Sequence, residues 1–162
     1  MKELRLCDNA EVKKVFNFCT NHYLGIEIQG FYNPNLINSA ETLNLISAYN
    51  NVLFDFQGGK SLHAPFWDLN LGTANTMIKE STMKTFNYAY NVAKELECTE
   101  IVVHNGFIPN TSFYHSWVKN ATDFWKKFFI NKDNSIAIMV ENQCEEMPML
   151  TPICQLKIGL LL

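Results

Sequence analysis

The sequence has little positive charge. It contains 13 Lys and Arg residues against 16 Asp and Glu residues, and Arg5 is its single arginine. Proteins that hold nucleic acid through its phosphate backbone need clustered basic side chains. Here the only adjacent basic residues are Lys13–Lys14 and Lys126–Lys127, and the net charge is -3. The sequence therefore argues against a nucleic-acid partner.

The sequence also lacks a recognisable cysteine pattern. Its cysteines are odd in number and show no C-x-x-C spacing, which excludes a readable disulfide framework or zinc ribbon. They are Cys7, Cys19, Cys98, Cys144 and Cys154. We interpret them as free thiols, which are typical of a cytoplasmic protein.

Long apolar runs are missing as well. Charged residues interrupt the first ten positions, so no secretory signal is predicted there. The longest apolar run, residues 158–162, is far shorter than the roughly 20 residues that cross a bilayer. With 162 residues, 48% of them hydrophobic and 18% charged, the chain is expected to form one globular domain over residues 1–162 without spanning a membrane.

What the sequence does contain is a regular alternation of helical and strand patterns. Asp8 and Glu11 resemble a capping box that opens the first helix, and Gly25 is expected to end it. Further helices are predicted near residues 39–49, 75–96 and 113–129, and strands near residues 26–29, 61–63, 101–104 and 136–140. Such alternation predicts an α/β fold of parallel βα units, either a doubly wound sheet or a barrel. No glycine-rich phosphate-binding loop follows any strand, which disfavours a nucleotide-binding version.

Three of the predicted strands end on a residue that can bind a metal. These residues are His63, His104 and Glu141. In a parallel fold the carboxyl ends of the strands meet on one face, so the three side chains can converge. Two imidazoles and a carboxylate suit Zn²⁺, Mn²⁺ or Fe²⁺. The alternative is structural, because strand-end histidines often only donate hydrogen bonds and Glu141 can cap a following helix.

The segments around these residues resemble a known group of barrels. LHAPFWDLN at 62–70, IVVHNGF at 101–107 and VEN at 140–142 are similar to successive strand ends of the xylose-isomerase-like TIM barrels, and GIEIQ at 25–29 resembles their second strand. That superfamily includes sugar phosphate isomerases and epimerases as well as endonuclease IV. The resemblance implies that His63, His104 and Glu141 are ligands of a divalent metal.

The resemblance covers only part of such a barrel. A complete barrel takes about 250 residues, whereas this chain supplies about five βα units, so we expect a partial (truncated) TIM-type (β/α) barrel. Residues 156–162 resemble the start of a sixth strand, which in relatives ends on an Asp-x-x-His pair that adds metal ligands. Without those ligands we expect weak metal binding and little turnover. Unpaired strand edges are expected to promote self-association.

Three functions follow from the resemblance. The first is a sugar phosphate isomerase/epimerase-like protein acting on a small sugar or sugar phosphate, inactive if truncation has removed its catalytic base, which the sequence does not identify. The second is an endonuclease IV-like phosphodiesterase on abasic DNA, which the low basic charge disfavours. The third is a non-catalytic partial-barrel module.

We do not assign a metal-binding role to the other candidate residues. Glu27 lies on the second strand, where it either faces the pocket or points into solvent, and we do not assign it as a ligand. His22 and His115 are expected to be surface or packing residues. Phe66 and Trp67 either line a substrate pocket or pack locally.

Overall fold

The computed structural model describes residues 4–9, 11–104, 106, 114–132 and 134–141. Five strands alternate with four α-helices in these segments. In chain order they are β1 (Arg5–Cys7), α1 (Val12–His22), β2 (Gly25–Ile28), α2 (Ala40–Val52), β3 (Lys60–His63), α3 (Thr76–Glu95), β4 (Glu100–His104), α4 (Tyr114–Phe129) and β5 (Ala137–Glu141). A short 3₁₀ turn, Pro34–Leu36, precedes α2.

The strands form one parallel sheet in the order β1-β2-β3-β4-β5. Each strand pairs with the one before it in the chain, so every crossover runs in the same direction around the sheet. A right-handed series of such crossovers places its helices on one side of the sheet. This is the arrangement of a barrel wall rather than of a doubly wound sheet, and the predicted partial TIM-type barrel is confirmed.

The two faces of the sheet differ in character. Apolar strand residues pack with the helices into one core, and Ile26, Ile28 and Leu62 are completely buried there. The intervening residues lie on the opposite, concave face, where Arg5 of β1 forms an ion pair with Glu100 of β4 at 2.5 Å. Because strand side chains alternate between faces, the same short strands build both the core and the concave face.

The predicted helix ends are partly correct. Ser39 caps α2 by accepting a hydrogen bond from the Glu41 amide, and Asn75 caps α3 through the amides of Met77 and Ile78. These side-chain oxygens satisfy amides that have no partner within the helix.

The predicted boundaries of the first helix are wrong. The helix starts at Val12, and Glu11 precedes it without a side-chain capping bond, because Asp8 is used elsewhere at the end of β1. It ends at His22, and the next residue, Tyr23, adopts a left-handed conformation with φ of 56°. Gly25 instead begins β2. Tyr23 therefore carries the modest strain of a left-handed non-glycine residue at this turn.

Several expectations fall outside the described residues. These are the sixth-strand resemblance of residues 156–162 and the positions 105, 107 and 142 of the quoted motifs. A single domain over residues 1–162 therefore stays a prediction. Among the helices in the described segments, none is long and apolar enough to cross a membrane.

Candidate metal centre

The three predicted ligands lie at neighbouring strand ends. His63 is the last residue of β3, His104 of β4 and Glu141 of β5. His104 pairs directly with Glu141 in the sheet register, and His63 pairs with Val102, two residues before His104. The structure therefore brings together all three residues that the sequence singled out.

Their side chains converge on a single point. Nε2 of His63 lies 3.3 Å from Oε2 of Glu141, and Nε2 of His104 lies 3.0 Å from the same oxygen. The three ligand atoms all lie within 4.8 Å of one another. Bonds of about 2.1 Å to one ion would bring such atoms within about 4.2 Å. Small side-chain rotations are therefore sufficient to close the group around a metal.

The hydrogen bonding of His63 tests whether these residues fit a cation. Nδ1 of His63 lies 2.9 Å from the carbonyl oxygen of Ala64, which can only accept, so Nδ1 carries the proton. In the tautomer that carries its proton on Nδ1, Nε2 offers its lone pair on the side of the Glu141 carboxylate. A backbone-bound Nδ1 is the usual partner of a metal-bound Nε2, and a cation between the two acceptors would be bound by both. The donor set fits a divalent metal.

Burial favours the metal-binding form of His104. Burial lowers the pKa of His104, and the neighbouring His63 lowers it further, although the Glu141 carboxylate opposes both effects. A lowered pKa keeps the imidazole neutral, which is the form that binds metals. The Glu141 side chain is half exposed, so the group opens toward solvent through its carboxylate.

Aromatic rings hold the two histidines in place. Phe66 stacks on His104 with ring centres 4.8 Å apart and meets His63 edge-on at 5.4 Å. Tyr32 contacts Phe66 and Trp67, and both Tyr32 and Trp67 are exposed at the rim. Phe66 thus packs beside the candidate ligands, and the two exposed rings offer an apolar surface next to them.

The sequence did not identify a second polar group, at the ends of β1 and β2. Oε1 of Glu27 accepts hydrogen bonds from the Cys7 thiol at 3.4 Å and the Gln29 side chain at 3.0 Å. Asp8 accepts from the Gln29 amide at 2.8 Å and from the Tyr49 hydroxyl. We call these five residues the β1–β2 network. No sequence motif predicts this network, and the register of β1 and β2 brings its strand residues together.

The charges of the network are set by burial. Burial raises the pKa of Asp8, and the hydrogen bonds from Tyr49 and Gln29 offset part of this rise. Burial also raises the pKa of the Cys7 thiol to about 11, with further contributions from the charges of Glu27, Asp8 and Glu141. Cys7 and Glu27 are in register with Ser61, two residues before His63, so they lie on the same face of the sheet as the candidate ligands.

A cavity of about 520 Å³ lies beside the β1–β2 network rather than at the candidate ligands. Asp8, Gln29 and Tyr49 line it together with apolar side chains of α1 and α2. Its size is typical of a small-molecule pocket. The acceptor oxygens of Asp8 are already used by Gln29 and Tyr49, so we assign the chemistry to the concave side, where the candidate ligands converge.

The remaining histidines lie away from this centre. His22 ends α1 at the surface and packs on Phe18, with ring centres 4.2 Å apart. His115 is exposed on α4. Both therefore match the surface or packing role predicted for them.

Comparison with known proteins identifies the fold. No protein-family model and no curated protein matches the chain. Among solved structures, a D-tagatose 3-epimerase-like protein matches with a TM-score of 0.64 and 20% identity, covering 88% of this chain and 53% of that one. The TTHB071 protein from Thermus thermophilus, soaked with ZnCl₂, matches with a TM-score of 0.61 and 20% identity, covering 90% and 57%.

Endonuclease IV from Thermus thermophilus also matches, with a TM-score of 0.54 and 16% identity, covering 86% of this chain and 51% of that one. These neighbours are xylose-isomerase-like TIM barrels. The chain has the fold of this class and spans about half the length of the structures it matches.

Proposed function

We propose that this chain forms the metal-binding part of an isomerase or epimerase for a small sugar or sugar phosphate. The observation that supports it most is the convergence of His63, His104 and Glu141 at three adjacent strand ends. A similar fold in a D-tagatose 3-epimerase-like protein supports the sugar assignment. Free thiols at Cys7, Cys19 and Cys98 support a cytoplasmic location.

His63, His104 and Glu141 would hold the metal, which we propose to be Zn²⁺, Mn²⁺ or Fe²⁺. A divalent ion bound there supplies Lewis acidity toward the oxygens of a sugar. The chain's own residues do the rest of the positioning. His63 keeps its proton on Nδ1 through Ala64, and Phe66 restricts the tilt of both imidazoles.

The exposed rings beside the centre suit a carbohydrate. Tyr32 and Trp67 stand 6.0 Å apart, ring centre to ring centre, at the rim. Aromatic faces pack well against the C–H faces of sugars, whose hydroxyls then point toward polar groups. This surface adds orientation to the binding that the candidate ligands supply.

Calorimetric titration with Mn²⁺ or Zn²⁺ tests the proposal. The double variant His63→Ala/His104→Ala is expected to lose metal uptake while keeping its fold. The matched control is His22→Ala/His115→Ala, which removes two exposed histidines outside the centre and should bind like the wild type. Equal binding by both double variants contradicts the ligand assignment.

Turnover is tested on the same preparations. Because the chain spans about half of its neighbours, we propose that the 162-residue chain alone binds metal weakly and epimerises D-tagatose slowly or not at all. Rapid epimerisation by the wild type would show that the 162-residue chain suffices for catalysis, which would contradict this prediction.

An endonuclease IV-like action on abasic DNA is the second candidate. The fold similarity to endonuclease IV favours it, since the same residue types at strand ends suit a phosphodiester as well. The single arginine disfavours it, because Arg5 is paired with Glu100 on the concave face instead of facing a phosphate. Cleavage of an abasic duplex by the metal-bound chain would favour the nuclease. A non-catalytic module is supported if the chain binds metal but acts on neither substrate.

A further inference from the structure

Glu27 lies on the same face of the sheet as the candidate metal centre, on the strand next to that of His63. Its strand neighbours Ile26 and Ile28 are completely buried against the helices, whereas Glu27 is half buried on the concave face. Its register partner on β3 is Ser61, two residues before His63. Strand spacings of about 4.8 Å and a rise of about 3.3 Å per residue place the Cα atoms of Glu27 and His63 about 8 Å apart.

Two hydrogen bonds fix the Glu27 carboxylate and occupy one of its two oxygens. Both hydrogen bonds that it accepts, from Cys7 and Gln29, reach Oε1. Within the part of the chain that the structure describes, Oε2 accepts no hydrogen bond. Gln29 is anchored in turn, because its backbone amide donates to Asp8, which Tyr49 also binds. The result is a fixed carboxylate with one oxygen available to a ligand.

A carboxylate oxygen on the strand next to His63, with the Cα atoms of the two residues about 8 Å apart, is suited to one kind of group. A metal-bound sugar carries hydroxyls on the carbons beyond those that the metal holds, and a hydroxyl donates readily to a carboxylate. Such a bond would fix which end of the sugar faces the β1–β2 network. An aliphatic compound without hydroxyls would desolvate Oε2 of Glu27 without donating a hydrogen bond to it, which is unfavourable.

We propose that Glu27 is a specificity residue that accepts a hydrogen bond from a hydroxyl of a polyhydroxylated substrate bound at His63, His104 and Glu141. This inference rests on the proposed sugar function and adds the residue that selects the orientation of the sugar. Glu27 is not proposed as a metal ligand, since Cys7 of β1 and Gln29, which directly follows β2, bind its Oε1.

The test measures binding of D-tagatose and its monodeoxy derivatives to the zinc-bound full chain by saturation-transfer NMR. We expect Glu27→Ala to weaken D-tagatose binding at least about tenfold, as loss of a hydrogen bond to a charged group does. Zinc affinity should stay within about threefold of the wild type. One monodeoxy derivative should bind the wild type about tenfold more weakly than D-tagatose binds the wild type. On Glu27→Ala, that derivative and D-tagatose should bind equally well.

Two variants serve as controls. Glu80→Ala removes an exposed carboxylate on α3 and should change no binding constant. Glu27→Gln keeps the shape and an acceptor oxygen, so it preserves the fold if Glu27→Ala does not, and should bind D-tagatose more weakly than the wild type but more tightly than Glu27→Ala. Thermal unfolding checks the fold of each.

The outcomes separate the inference from the function on which it rests. If the zinc-bound wild type binds D-tagatose and both Glu27 variants bind it equally well, the role of Glu27 is wrong and the sugar function stands. The role of Glu27 is also wrong, and the sugar function stands, if every monodeoxy derivative loses as much affinity relative to D-tagatose on Glu27→Ala as it does on the wild type. If the zinc-bound wild type binds no sugar, the proposed function is wrong and the inference falls with it.

Discussion

The carboxyl ends of β3, β4 and β5 and those of β1 and β2 belong to one sheet but are built differently. The first region holds two histidines and a glutamate whose ligand atoms converge. The second holds the β1–β2 network, in which each acidic side chain already accepts hydrogen bonds from its neighbours. In the first region both imidazole Nε2 atoms face one carboxylate oxygen, at 3.3 and 3.0 Å, whereas in the second the carboxylates accept from amide, hydroxyl and thiol donors. This difference underlies our proposal that the first region binds a metal and that the second supports the fold and orients a ligand.

Replacing Glu141 should give the largest effect on metal binding. Loss of a residue that only supports a ligand weakens metal binding by about 10- to 100-fold, so loss of a direct ligand should exceed about 100-fold. Because the Glu141 side chain is half exposed, Glu141→Ala should change the free energy of unfolding by less than about 0.5 kcal/mol. Calorimetry with Zn²⁺ and urea unfolding measure the two effects. A stability loss without a change in zinc affinity would show that Glu141 supports the fold and does not bind the metal.

Replacing Phe66 should lower zinc affinity less than replacing a ligand does, and more than replacing its neighbour Trp67 does. Phe66→Ala removes the ring that packs on both imidazoles, so zinc affinity should fall by about tenfold. Trp67→Ala is the matched control, because Trp67 is exposed and its ring packs on Phe66. Zinc titrations that show equal losses for both variants would mean that Phe66 does not orient the ligands.

The candidate ligands were predictable because each stands at the end of an apolar strand. Three buried strands followed by His, His and Glu form a pattern that parallel topology turns into proximity. The β1–β2 network was not predictable in this way. β1 has only three residues, and Asp8 looked like a helix cap because Glu11 follows it at capping-box spacing. Its real partners, Gln29 and Tyr49, are distant in sequence.

The helices show the same division. The sequence predicted a helix near residues 113–129, and α4 spans Tyr114–Phe129 with Trp117, Phe124 and Phe128 buried at helical spacing. The end of α1 was misplaced because a glycine signal near a helix end outweighed Tyr23, which carries the left-handed turn. Periodic packing over many residues is therefore readable, whereas a boundary that depends on one residue is not.

Tyr49 tests the structural role of the β1–β2 network. Tyr49→Phe removes the hydroxyl that donates to Asp8 and leaves a buried carboxylate oxygen without that partner. The free energy of unfolding should fall by about 1–3 kcal/mol, with zinc affinity unchanged. Urea unfolding and zinc calorimetry on the same variant check both parts. A marked loss of zinc affinity would show that the two regions are coupled.

The smallest effect is a pH dependence that originates at Asp8. Burial raises the pKa of Asp8 in the folded state above its ordinary value of 3.8, so folding favours the protonated carboxyl. That stabilisation is complete below pH 3.8 and is lost as the pH rises through the raised folded-state pKa. Asp8→Asn cannot ionise and should gain stability relative to the wild type as the pH rises from about 4 to 7. A difference between the two proteins that is constant with pH in urea unfolding would contradict this account.

Zinc K-edge X-ray absorption on the full chain tests the metal centre most directly. The account predicts one equivalent of zinc with two imidazole nitrogens and carboxylate or water oxygens at about 2.0–2.2 Å, and the imidazole signal should disappear in His63→Ala/His104→Ala. A sulfur neighbour at about 2.3 Å would place the zinc on a cysteine such as Cys7. That result, or a spectrum without imidazole scattering, would contradict the assignment of His63, His104 and Glu141 as the metal centre.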